Sequence, residues 1–220
     1  MGATVSSEKK TIKFKYLAGL PFGLVGRGGA IRFFLLAHGI PFEEELFDMQ
    51  TTWPKKKAEL LLTNESPSGM VPLVEYGDMT LTQHIATMRY IAFDMALVST
   101  PNGNYAQDVI ADEYQVLRDA YVTAVFGGDK DKFKTLLSEK LTMFEKYYKK
   151  YGVHDVYVSV TLKDFKPLWG DIALFCLLRD IFKVGLLESK DDLPPRLQAM
   201  YTAFEAIPAI AEWEQKNKST

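Results

Sequence analysis

Apolar and charged side chains alternate from Ile12 to Tyr16, with Lys13 and Lys15 between Ile12, Phe14 and Tyr16, and this period of two predicts a strand. A glycine-rich loop over residues 17–29 leads into an apolar run from Ala30 to His38, which Gly39 and Pro41 mark as a helix that stops there. Residues 42–47 read as a second strand and residues 53–62 as a short helix with Pro54 in its first turn. Residues 71–75 and 79–81 flank Tyr76-Gly77-Asp78 as the arms of a hairpin, and residues 83–93 predict a further helix. The order β-α-β-α-β-β-α then meets a stretch rich in breakers, residues 98–104, where we place a domain boundary. Beyond it the apolar positions fall at helical spacing over residues 107–124, 130–150, 170–182 and 195–206. Residues 155–165, in which Val156, Val158 and Val160 alternate, are read as an irregular connection. The expected architecture is a polar tail (1–10), an α/β domain (11–97) and an all-helical domain (98–220).

Composition narrows the partners. A 220-residue chain that is 47% hydrophobic and 25% charged is an ordinary globular sequence, which excludes disorder as its main state. With 26 Lys+Arg against 28 Asp+Glu the formal charge is −2, so no basic excess exists to neutralise a run of phosphates, and nucleic acid is not an expected partner. One cysteine, Cys176, cannot form an internal disulfide, and no Cys or His pair shows metal-ligand spacing. A reducing, cytoplasmic location and no bound metal are the expectation. The longest apolar stretches, such as residues 172–178, fall far short of the roughly 20 residues a bilayer span needs. The N-terminal Met-Gly-Ala-Thr-Val-Ser fits the pattern for myristoylation of Gly2, set against a plain polar tail. One acyl chain gives only marginal membrane binding, so the location would then be partly membrane-peripheral.

Three places in the first domain carry chemistry. A residue before proline is held extended, and a cis bond at Val71-Pro72 would expose the Val71 backbone for pairing with a peptide; proline also simply opens strands. Thr82-Gln83-His84 precedes a helix whose first N–H groups can hold a carboxylate, although Thr82 could equally cap that helix. Trp53 and Lys57, four apart on one helical face, could converge on another carboxylate, or the lysine stem could lie across the indole. Cys176, in an apolar run, reads as an inert buried residue, and His38 as a helix C-cap.

These residues fall within motifs that resemble the cytosolic glutathione transferases, in particular the Tyr-type, Sigma-like branch. The motifs are Gly26-Arg27-Gly28-Gly29-Ala30-Ile31-Arg32, Trp53-Pro54-Lys55-Lys56-Lys57, Ser68-Gly69-Met70-Val71-Pro72-Leu73-Val74, and the run from Leu81 to Ile91. Trp169-Gly170-Asp171-Ile172-Ala173-Leu174-Phe175 is similar to the family's buried capping segment. The resemblance implies a thioredoxin-like first domain and a homodimer, with glutathione as co-substrate and no other cofactor. It assigns Val71, beside Met70 and cis Pro72, to the cysteinyl part of glutathione, and Trp53 and Lys57 to its glycine carboxylate. Gln83 and His84 fall to its γ-glutamyl end, and Asp112 or Asp119 to its amine across a dimer interface. Met70 and His84 stand where the family usually has Gln and Ser.

The implied chemistry is thiolate chemistry, with Tyr16 and Arg27 in the catalytic positions and the helix beginning near Ala30 pointing its N–H groups at the sulfur. Tyr16 is the only hydroxyl available there, since residues 17–29 contain no Ser, Thr, Cys or Tyr. The segment between Tyr16 and Gly26 is several residues longer than the family's. The expected function is transfer of glutathione to hydrophobic electrophiles, or an isomerisation such as that of prostaglandin endoperoxides. The alternative is a non-catalytic ligand-binding or structural protein of the same fold. Thiol-disulfide exchange is disfavoured because the first domain has no cysteine.

Overall fold

The computed structural model describes residues 11–153 and 155–217; the Gly2 assignment lies outside them. A four-stranded mixed sheet, in the order β2-β1-β3-β4, organises the first half of the chain. Strand β1 (Ile12–Ala18) runs parallel to β2 (Glu43–Asp48) and antiparallel to β3 (Leu73–Tyr76), which turns through Gly77 into β4 (Met79–Thr82). Helices α1 (Gly26–His38), α2 (Trp53–Leu62) and α3 (His84–Asp94) complete the thioredoxin-like arrangement that the β-α-β-α-β-β-α pattern predicts. Strand β1 has a neighbour on each edge, and on its charged face Lys13 stays partly exposed. Lys15, on the face that alternation assigns to polar residues, is buried and pairs with Glu65 at 2.7 Å and with Glu75.

Five helices follow: α4 (Pro101–Val125), α5 (Lys130–Tyr151), α6 (Trp169–Lys183), α7 (Pro195–Glu205) and α8 (Pro208–Lys216). Three elements differ from the sequence reading, the first being α1, which starts at Gly26 inside the stretch read as a loop and not near Ala30. Residues 101–104, read as breakers, form the first turn of α4, because a proline at a helix start gives up only an N–H that would be unpaired anyway. The Thr100 hydroxyl caps that turn by accepting from the Gly103 N–H at 3.1 Å. Helix α8, with few apolar positions in its nine residues, went unpredicted. Residues 155–165 are irregular as expected, tied by single bridges at Val153–Tyr157 and Val160–Pro167.

Helix α6 is the centre of the molecule: every residue from Trp169 to Ile181 is buried, and α1 and α4 both pack on it. Its first turn is held by Asp171, whose carboxylate accepts from the Tyr148 hydroxyl, Gln107 Nε2 and the Val158 N–H. Its last turn holds Asp180, which is fully buried and binds both halves of the chain. Asp180 Oδ1 accepts from the Val25 N–H at 2.9 Å and Oδ2 from the Gly26 N–H at 3.1 Å, so this carboxylate caps α1 from a distant part of the sequence. Arg118 Nη1, from α4, donates to the same Oδ2 at 2.8 Å. Beside it Arg179 donates to the Gly23 carbonyl at 3.0 Å.

Removing one partner of a buried ion pair leaves the other charge unpaired. Asp180→Ala is therefore expected to cost about 3–5 kcal/mol, since it strands Arg118 and two helix N–H groups together. Urea unfolding measures it, and a loss under about 1 kcal/mol would show that this node is not what joins the two halves.

Candidate functional site

The segment ahead of β3 is shaped by Ser66, whose hydroxyl donates to the Met70 carbonyl at 2.9 Å and accepts from the Met70 N–H at 3.1 Å. This turn delivers Val71, and the Val71-Pro72 bond is cis. Among the described residues the Val71 N–H and C=O have no backbone partner, because the β3 ladder begins at Leu73. The segment thus presents an unpaired strand edge, the arrangement needed to receive a short extended peptide.

Facing it is the start of α3. Gln83 sits in the left-handed region, at φ 66 and ψ 102, a conformation a non-glycine residue adopts only under constraint. No side chain caps this helix: Thr82, the cap candidate, instead has its carbonyl bonded by the Thr87 hydroxyl at 3.2 Å. The first N–H groups of α3 are left for a ligand. Between the two segments lies a cavity of about 230 Å³ lined by Arg27, Ser68, Met70, Val71, Pro72, Thr82, Gln83, His84 and Gln115.

Of the residues the sequence singled out, Arg27, Met70, Val71, Pro72, Gln83 and His84 meet at this cavity. Asp119 stands directly behind it, accepting from Arg27 Nη2 at 2.5 Å and from Gln115 Nε2 at 2.9 Å. Asp112, Gln115 and Asp119 share one face of α4 through their three- and four-residue spacing, and both acids are exposed. Trp53, stacked on Phe47 with ring centres 6.2 Å apart, and Lys57, exposed on α2, do not line the cavity. Gln115 was missed in sequence; its only signal is its position on the acidic stripe of α4.

Tyr16 lines a neighbouring cavity of about 220 Å³ formed by the long loop after β1, with Leu17, Leu20, Leu24, Leu46, Arg32, Arg179 and Trp213 among its walls. The loop is packed against α6 and α8, and Phe22 at its tip is exposed. The Tyr16 ring lies under the start of α1 so closely that a Cβ at Gly28 would fall into the ring and one at Gly26 into the hydroxyl. Burial pushes its phenol above the ordinary tyrosine range, while the Gly28 N–H and the Arg118 and Arg27 cations pull the other way. Tyr16 therefore keeps its proton at neutral pH. Its hydroxyl sits at Gly26, where the segment Val25–Arg27 separates the two cavities.

Cys176 is buried, and burial pushes its thiol well above the ordinary range, in keeping with an inert residue. The His38 ring reaches beyond its own helix: Nε2 donates to the Pro167 carbonyl at 3.0 Å, so it ties α1 to the segment before α6 rather than capping α1. Gly39 closes that helix instead, through its N–H to Leu35 and Leu36. Among the described residues no group of His, Cys, Asp and Glu could hold a metal ion, and no helix is long and apolar enough to cross a membrane.

Comparison with known proteins places this geometry. Residues 20–93 match the family model described as Glutathione S-transferase, N-terminal domain. Hematopoietic prostaglandin D synthase of Gallus gallus is 31% identical over 208 residues, covering 90% of this chain and 95% of that one. Glutathione S-transferase A4 of Mus musculus is 30% identical over 200 residues, covering 86% and 84%. Among solved structures, the Pi-class glutathione S-transferase of Onchocerca volvulus shares the fold with a TM-score of 0.76 at 21% identity, covering 95% of this chain and 94% of that one. The Fasciola hepatica sigma class GST does so with a TM-score of 0.71 at 20% identity, covering 96% and 98%.

Two buried imidazoles, His84 at the cavity and His38 at the far end of α1, give the fold a pH signature. Burial lowers His84 to about 3 and His38 to about 4, against 6.5 for an exposed ring. The unfolded chain then binds more protons than the folded one between these values, so stability is complete above about pH 6.5 and falls as pH drops towards 4. Each ring contributes up to about 1.4 kcal/mol per pH unit in that window. Denaturant titrations of His84→Ser should show a shallower decline between about pH 6.5 and 4.5 than the parent chain. Parallel curves would show that His84 is not held neutral.

Proposed function

Because this chain belongs to the glutathione S-transferase family, we propose that the cavity ahead of Pro72 binds glutathione and that the protein is a Tyr-type, Sigma-like transferase acting on apolar electrophiles. The observation that carries this reading is the free Val71 edge opposite the uncapped start of α3. Glutathione is a short peptide with a carboxylate at each end. Its cysteinyl backbone pairs with Val71, its γ-glutamyl carboxylate meets the N–H groups of α3, and its amine finds counter-charge on the Asp112–Asp119 face of α4. The chain works as a homodimer, with the exposed Asp112 available to the partner's ligand.

The sulfur of a ligand so placed is directed at the start of α1. A free thiol near pKa 8.5 is mostly protonated at pH 7, and lowering it by about two units requires roughly 2.7 kcal/mol of preference for the thiolate. The first N–H groups of α1 are already taken by Asp180, so less of that preference comes from the helix than its position suggests. The neutral Tyr16 phenol donates to the sulfur across Gly26, and Arg27 supplies positive charge. The electrophile enters through the loop cavity, whose leucines and Trp213 suit an apolar molecule. A prostaglandin endoperoxide is one such substrate, in keeping with the name of the Gallus gallus relative.

A second reading, ligand binding without catalysis, is favoured by one feature: Tyr16 lines the loop cavity and not the Val71 cavity. Conjugation of chlorodinitrobenzene separates the two. Tyr16→Phe should lower kcat/KM roughly a hundredfold, the cost of losing one preorganised donor, while leaving glutathione affinity within about twofold. Equal rates would remove Tyr16 from the mechanism, and glutathione binding by the parent chain without turnover of any electrophile would support the second reading.

A further inference from the structure

His84 stands where the resemblance leads one to expect a serine, and its side chain is put to a definite use. The ring is almost wholly buried, yet it lines the cavity that Val71 and Gln83 enclose. Its Nε2 lies 3.1 Å from the hydroxyl of Tyr114, a residue of α4 that is itself 1% exposed, and the two rings meet edge to face with centres 5.6 Å apart. Among the described residues that nitrogen is the one hydrogen-bond partner of the Tyr114 hydroxyl.

We propose that Tyr114 is a positioning residue whose hydroxyl donates to Nε2 of His84, fixes the ring as the Nδ1–H tautomer, and so makes His84 a neutral donor for a ligand carboxylate in the cavity. The direction of the bond follows from proton accounting. A buried phenol must place its proton on an acceptor, and the imidazole nitrogen is the acceptor on hand. Were Nε2 to carry the proton and donate to the phenol oxygen, the phenol proton would face the interior with no acceptor. With Nε2 engaged by Tyr114, Nδ1 remains for the cavity and carries the ring's only proton. Burial, together with Arg27 and Arg118, keeps the ring from taking a second one. In this arrangement the Nδ1–H would add to the uncapped N–H groups of the first turn of α3, the helix that His84 itself begins. The isolated imidazole prefers Nε2–H, so the tautomer is a property of this contact and not of the residue.

This inference rests on the reading that the ligand is glutathione, and its test separates the two. Nitrogen-15 spectra of the ligand-free protein, with the His84 signals assigned by their loss in His84→Ser, should show a protonated Nδ1 and an unprotonated Nε2. Tyr114→Phe, which keeps the ring and removes the hydroxyl, should move the ring towards the Nε2–H form. It should also weaken S-methylglutathione binding roughly tenfold, the loss expected for a hydrogen bond to a charged group. Binding of the analogue that lacks the γ-glutamyl α-carboxylate should not respond to this substitution. An Nε2–H ring in the parent protein, or a tautomer indifferent to Tyr114→Phe, would overturn the proposal. Equal weakening for both ligands would reduce Tyr114 to a packing residue. A parent protein with the Nδ1–H ring that binds no S-methylglutathione would overturn the glutathione reading, and with it the carboxylate role of His84.

Discussion

One carboxylate decides where everything else sits. Removing Asp180 from water costs several kcal/mol, and that cost is offset because the buried group is met by two backbone N–H groups and a guanidinium. The donors come from two different helices, α1 and α4, while the acceptor belongs to α6. Satisfying a single buried charge thereby fixes three helices and the end of the long loop at once. The Tyr16 ring fits only because glycines at 26 and 28 leave room for it under the helix start that Asp180 has pinned.

The same interaction constrains the chemistry. A thiolate beside the start of α1 would draw on the helix dipole, but a carboxylate already occupies Val25 and Gly26, and its charge opposes a second anion. The cations Arg118 and Arg27 answer it, the first paired with Asp180 and the second with the exposed Asp119. A sulfur placed there by the proposed reading would meet surroundings close to neutral overall. In such a setting a phenol that stays protonated is more useful than one that ionises, since only the protonated form can donate to a thiolate. The raised pKa of Tyr16 is in keeping with that role.

Much of this was legible along the chain, and the reasons differ by residue. The alternation at Ile12–Tyr16, Gly39 at the end of α1 and the Tyr76-Gly77-Asp78 turn are local signals, and the structure follows them. Val71-Pro72 and Gln83-His84 were legible because backbone chemistry marks them: one by proline, the other by its place ahead of a helix. The burial of Lys15 had no local signal, because the acids that meet it, Glu65 and Glu75, lie 50 and 60 residues on. Asp180 and Arg118 were passed over because their partners lie 62 residues apart and further still from Val25. The trace they leave is a charge at the end of an apolar run, Ile172–Ile181, which is rarely tolerated without a partner. Helix α8 left even less, since Ile210 is its single buried residue.

The departures from the family pattern divide along the same line. In the proposed reading Met70 and His84 stand where the family usually has other residues: Met70 leaves the free Val71 edge as it is, while the His84 side chain adds a donor to the N–H groups of α3. Pairing of a peptide with the Val71 edge would therefore be the part of binding least sensitive to side-chain identity. On the proposed reading, activation of the sulfur would depend on side chains, Tyr16 and Arg27, which flank the loop after β1. The loop after β1 is held by the Arg179 bond to the Gly23 carbonyl and lines a second cavity together with Tyr16, Trp213 and Asn217, while Tyr16 keeps its place in β1. If glutathione lies at the Val71 edge, the loop cavity is the part of the site left to meet the other substrate, and differences in substrate choice would arise there.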